Sequence, residues 1–135
     1  MADTVTSQTL LDGERLIIMK FTNVSDGTGE SAVNKIVPAN LAVNSFGVAC
    51  TDLKINQIWS TTTGMAVNML WDATADVLAW TIPQDTNYWM KFGDHLGGIP
   101  NNSGAGKTGN LAFSTVGASA GDSYSIIVEC IKIYG

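Results

Sequence analysis

Met65-Ala-Val-Asn-Met-Leu-Trp-Asp-Ala-Thr-Ala-Asp-Val-Leu-Ala-Trp-Thr-Ile82 is the stretch on which the fold class turns. Met65, Val67, Met69 and Trp71 alternate with Ala66 and Asn68, as on a half-buried strand. Val77 to Ile82 resumes the strand character after Asp72-Ala-Thr-Ala-Asp76, so the whole reads as a hairpin with a short polar turn. Ala66, Met69, Leu70, Ala73, Val77 and Trp80 also follow a helical period, and Ala, Met and Leu are good helix formers. Periodicity alone leaves both readings standing. The flanking chain is strand-like and Trp71-Asp72 starts a plausible turn, so the hairpin is expected, with Pro83 ending the element in either case.

Working outward, the same composition recurs. Leu16–Phe21, Asp52–Trp59, Leu111–Val116 and Tyr124–Ile133 are rich in β-branched and aromatic residues, which suit a pleated surface. Strands are expected over Arg15–Val24, around Lys35–Val37, over Leu41–Ala49, Asp52–Thr61, Tyr88–Phe92, Asn110–Val116 and Ser123–Tyr134. Between them, Ser25-Asp-Gly-Thr-Gly-Glu30 and Gly117-Ala-Ser-Ala-Gly121 are turns, and Gly93 to Gly109 is a long loop. Turns every 8–12 residues point to an all-β, single-domain β-sandwich or jelly roll over residues 14–135. Residues 1–13, polar apart from Val5, Leu10 and Leu11 and ending at Asp12-Gly13, read as an extended N-terminal arm, disordered alone or ordered against a partner.

The chain has 135 residues, 45% apolar and only 14% charged, against about 25% charged in an average domain. Either partners cover part of the surface, or Ser, Thr and Asn solvate it. The net charge of −5 comes with no basic run, which argues against nucleic acid and against a membrane-surface helix. No apolar stretch approaches the ~18 residues of a membrane span. The first residues have neither a basic start nor an apolar core, so the expectation is a protein made and folded in a cytosol. Cys50 and Cys130 sit in apolar strand contexts and are expected as free, buried thiols, with a pair across adjacent strands as the alternative.

Each candidate for chemistry is better explained without it. Ser103-Gly-Ala-Gly-Lys-Thr108 resembles the end of a phosphate loop, but Asn101 stands where the motif needs Gly, and a strand follows where a helix should. His95, the only histidine, lies in Gly93-Asp-His-Leu-Gly97 without a nucleophile or orienting group in sequence. Nothing in the spacing of Asp72, Asp76, Asp85 and Asp94 pairs two carboxylates or makes a calcium pattern, and Asp72 and Asp76 bracket a turn, where Asp is expected. No enzyme, cofactor or metal is expected. Of the four tryptophans, Trp59, Trp71 and Trp80 are expected to pack in a core or interface. Trp89, in Asn87-Tyr-Trp-Met90, is expected to be exposed as a sugar contact or an interface anchor.

Four segments recur as a set: Gly13–Glu30, Lys54–Met65, Leu70-Trp-Asp-Ala-Thr74 and Gly98-Ile-Pro-Asn-Asn-Ser-Gly-Ala-Gly-Lys-Thr-Gly109. Together they resemble small virion-associated proteins of tailed bacteriophages, notably cyanophages, over nearly all the chain beyond the arm. The resemblance implies a capsid decoration, or cement, protein: β-rich, homotrimeric, seated on the outer capsid surface and bridging subunits of the major capsid protein. It fits a neck, tail or fibre-base component almost as well, and a carbohydrate-binding module on the virion surface is a further alternative. Partner contacts are expected at Leu10 and Leu11 of the arm and at the Tyr88-Trp89 edge.

Overall fold

The computed structural model describes residues 3–93 and 97–134. Its strands are β1 (Thr4–Asp12), β2 (Leu16–Val24), β3 (Val33–Ile36), β4 (Cys50–Thr63), β5 (Ala66–Trp71), β6 (Val77–Ile82), β7 (Asn87–Lys91), β8 (Ile99–Pro100), β9 (Leu111–Val116) and β10 (Ser123–Tyr134). Apart from a 3-10 turn at Pro38–Asn40, the described residues contain no helix. The chain is all-β.

Two antiparallel sheets face each other. The larger runs β1-β2-β10-β4-β7, with β8 paired to β4, and the smaller runs β3-β9-β5-β6. The Met65–Ile82 stretch is the expected hairpin, with Val67 opposite Ile82 and Trp71 opposite Val77. Tertiary pairing decides what periodicity left open: β5 is a central strand, held on its other side by β9.

Alternation along the strands builds the core. Ile17 and Phe21 of β2, Ile126 and Val128 of β10, and Ile55 and Ile58 of β4 are buried, as are Val67, Met69 and Trp71 of β5. Phe113 of β9 reaches across to meet Phe21 edge-on at 5.4 Å between centroids and Tyr124 at 5.9 Å, so one aromatic group joins the two sheets. Cys50 and Cys130 are free and buried in this core.

Three expectations change. The polar segment expected as an arm pairs along β2 within the same chain, Thr4 opposite Val24 and Asp12 opposite Ile17. It is the edge strand of the larger sheet, and all of it but Asp12 is exposed. Leu41–Ala49, expected as a strand, is a loop. It is apolar enough for a strand, but Asn44 Oδ1 accepts from the Phe46 and Val48 amides (2.9 and 3.0 Å), and Gly47 takes φ 77°. An Asx turn therefore bends the chain where a strand would run straight. Within the long loop from Gly93, Ile99 and Pro100 form the short β8 against Ile55 and Lys54.

Candidate functional site

The charged groups drawn inside the sandwich hold it together. Lys132 of β10 is buried, and its ammonium donates to Asp12 Oδ1 (2.7 Å), Gly13 O (2.8 Å) and Ala42 O (2.9 Å). All three of its N–H groups are thereby used, tying the β1–β2 turn and the following loop to the sheet. Desolvation would lower the pKa of Lys132, but the bond and charge of Asp12 outweigh it and leave the ammonium above its usual value. Desolvation likewise opposes the Asp12 carboxylate, while Lys132 and the Ala42 amide bring it below its usual range. At the other end, Glu30 accepts from Lys35 Nζ (2.5 Å), Tyr124 Oη (2.5 Å) and Asn23 Nδ2 (3.0 Å). Burial first, and Glu30 second, push the Tyr124 phenol far above its ordinary value. In both constellations the charged groups are spent on one another and on local donors and acceptors, while Asn23 Oδ1 in the second is buried without a partner.

The residues weighed for chemistry take turn and loop roles. Lys107 pairs with Asp52 at 2.7 Å, Asp72 Oδ2 accepts from Thr108 Oγ1 at 2.8 Å, and Asp76 Oδ1 accepts from the Ala73 amide at 3.1 Å. Asp85, at φ 56°, accepts from the Gly64 amide at 2.7 Å, and that bond holds its carboxyl below the usual range. His95 and Asp94 lie outside the described residues. Burial pushes both the Cys130 and Cys50 thiols up, away from the nucleophilic thiolate. Among the described residues, no group of three or more His, Cys, Asp and Glu is placed to hold a metal ion.

Two surfaces stand apart from this. The first is an apolar end. Phe46 is 89% exposed at the tip of the 41–49 loop, with Val43 and Val48 exposed beside it in sequence. The loop is pinned to the β1–β2 turn: Asp12 Oδ2 accepts from the Ala42 amide (2.9 Å) and Glu14 Oε1 from the Ser45 amide (2.6 Å). The Ser45 hydroxyl and amide together lower the Glu14 carboxyl. Leu10 and Leu11, each 46% exposed, lead into that same turn, at the bulge where β1 shifts register against β2. The expected contacts Leu10 and Leu11 are thus exposed on the strand that leads into the turn to which the Phe46 loop is pinned. Asn44-Ser-Phe-Gly47 carried its signal, an Asx turn presenting an aromatic residue.

The second surface is the outward face of the larger sheet. Tyr88 and Trp89 do not act as one edge, because neighbours on a strand point to opposite faces. Tyr88 turns inward and its hydroxyl accepts from Trp80 Nε1 at 2.8 Å. Trp89 turns outward, 56% exposed, and lies parallel to Trp59, with 6.4 Å between centroids and 7° between planes. Its indole N–H donates to Gln57 Oε1 (2.9 Å), while Gln57 Nε2 donates to Glu129 Oε2 (2.8 Å) and Asn56 Nδ2 donates to the same oxygen. Trp71 and Trp80 pack with the core as expected, whereas Trp59 joins this outer pair. Leu10 and Leu11 on β1 and Trp89 on β7 stand at opposite edges of the sheet, about 19 Å apart across four strand steps. Compared with models of known protein families and with curated protein sequences, the chain matches none.

Proposed function

We propose that this protein is a structural component of a tailed-phage virion, a homotrimeric decoration protein that bridges major capsid protein subunits on the outside of the head. The observation that carries the reading is the apolar end. A phenylalanine 89% exposed on a loop held by two carboxylate caps is an anchor presented to a partner, not a side chain left over from the core. The strand order supports it. With β1 and β8 set aside, β2-β10-β4-β7 facing β3-β9-β5-β6 follows the eight-stranded double Greek key of a jelly roll, an architecture common among viral capsid domains. The resemblance of Gly13–Glu30 and Gly98–Gly109 to virion proteins points the same way.

The mechanism is mechanical. Each copy that binds the expanded shell and not the immature one stabilises the former by linkage, in proportion to the logarithm of its concentration over the dissociation constant. Sedimentation with purified shells tests it. The protein is expected to pellet with expanded heads and not with procapsids, and Phe46→Ser to remain in the supernatant. Pelleting with isolated tails or necks, and not with heads, would overturn the placement on the capsid.

A further inference from the structure

The register across the larger sheet aligns the outward side chains into rows that cross five of its strands. One row is Gln8, Lys20, Ile127, Trp59 and Trp89, each directly opposite the next. The adjacent row, two residues along each strand, is Thr6, Thr22, Ser125, Thr61 and Asn87, every member carrying a hydroxyl or an amide. Large side chains beside small ones leave a trench. Its β10–β7 half is a cleft of about 340 Å³, lined by Trp59, Trp89, Lys20, Ser125, Thr61 and Asn87 among others.

We infer that this trench binds an oligosaccharide, laid across the strands with pyranose rings against the Trp59 and Trp89 indoles and hydroxyls over the Thr22–Asn87 row. Three observations choose that occupant. Trp89 is more than half exposed yet fixed, by stacking on Trp59 and by its bond to Gln57, so its ring is ordered before anything binds. A pyranose presents an apolar C–H face to such a ring and a rim of hydroxyls to its surroundings. The neighbouring row supplies both donors and acceptors for that rim: Ser125 Oγ, Asn87 Nδ2 and the hydroxyl of Thr61, which already bonds Asn87 Oδ1 at 3.3 Å. Lys20 has no acidic partner among the described residues, and it offers further donors at the β2 end of the indole row.

Rival occupants fit less well. Nucleic acid would stack on the indoles, but a single lysine in a chain of net charge −5 gives its phosphates almost nothing. A proline-rich peptide would also lie on aromatic rings, yet it brings few groups to satisfy a row of hydroxyls and amides. The site is separate from the Phe46 end and does not depend on the capsid reading.

The test is tryptophan-indole NMR of the whole protein, titrated with hexaoses of β-1,4-glucan, α-1,4-glucan and β-1,4-N-acetylglucosamine, and with trigalacturonate. At least one is expected to shift the Trp59 and Trp89 indole signals saturably, while the buried Trp71 signal stays put and reports an intact fold. Trp89→Ala is expected to weaken that binding at least tenfold with the Trp71 signal unchanged. Gln57→Ala, which frees the indole without removing it, is expected to weaken it by a smaller factor. No saturable shift with any of the four at 10 mM would overturn the proposal. So would a response that survives Trp89→Ala, or one given only by a proline-rich peptide run alongside.

Discussion

Lys132 ties the β1–β2 turn and the 41–49 loop to β10. Its ammonium is enclosed, and its three acceptors come from the β1–β2 turn and the 41–49 loop. Replacing it with methionine keeps the stem but leaves Asp12 and two carbonyls without their donor. The expected loss is about 3 kcal/mol, measured by urea unfolding. The sign with pH follows from the two shifts. Asp12 lies below its usual pKa, so its contribution is complete above about pH 4 and is lost as acid takes the pH through the lowered value. Lys132 lies above its usual value, so its share is complete below about pH 10 and is lost as base passes the raised value. The Lys132→Met protein should therefore show a flatter stability profile than the parent at both extremes. Cys50 and Cys130 give a second residue-level expectation. Both thiols are buried and held protonated, so a thiol reagent at pH 8 should label neither in the native protein and both in urea. Prompt labelling of native Cys130 would show that the core opens there.

At the scale of elements, β1 is an edge strand of the larger sheet, paired only along β2. All but its last residue is exposed, so removing residues 1–11 forfeits little apolar burial. It does uncover the hydrogen-bonding edge of β2, a strand of Leu, Ile, Met and Phe. The truncated protein is expected to keep its β-type circular dichroism, melt at a lower temperature and self-associate with concentration. An unchanged melting temperature and mass would mean that β1 is not paired in solution. This strand also shows where reading the sequence ran out. Composition identified Arg15–Val24 and Ser123–Tyr134 as strands because both are rich in β-branched and aromatic residues. Thr4–Asp12 is polar apart from Val5, Leu10 and Leu11, and what orders it is backbone pairing along β2, which leaves no pattern in side chains. Leu41–Ala49 erred in the other direction: it is rich in apolar residues, but Asn44 and Gly47 impose a turn. The exposure of Trp89 was legible from its polar neighbours. Its partners were not, since the row from Lys20 to Trp89 exists only once β2, β10, β4 and β7 fall into register.

At the scale of the whole molecule, the sandwich presents two outward surfaces: the exposed Phe46 loop at one end, and an indole-walled trench with a neighbouring row of hydroxyls and amides on the broad face of the larger sheet. The proposed virion role uses the first for the shell and leaves the second facing outward. Light scattering should give a mass three times that of the 14.3 kDa chain, independent of concentration. A monomer at all concentrations would remove the pre-formed trimer from the proposal. The central claim is that binding strengthens the capsid, and the most direct measurement is the temperature at which expanded, DNA-filled heads release their DNA. With the protein added to heads lacking it, that temperature should rise and saturate with occupancy, and Phe46→Ser should leave it where it was. Heads fully occupied by the protein yet releasing DNA at the unprotected temperature would contradict the account.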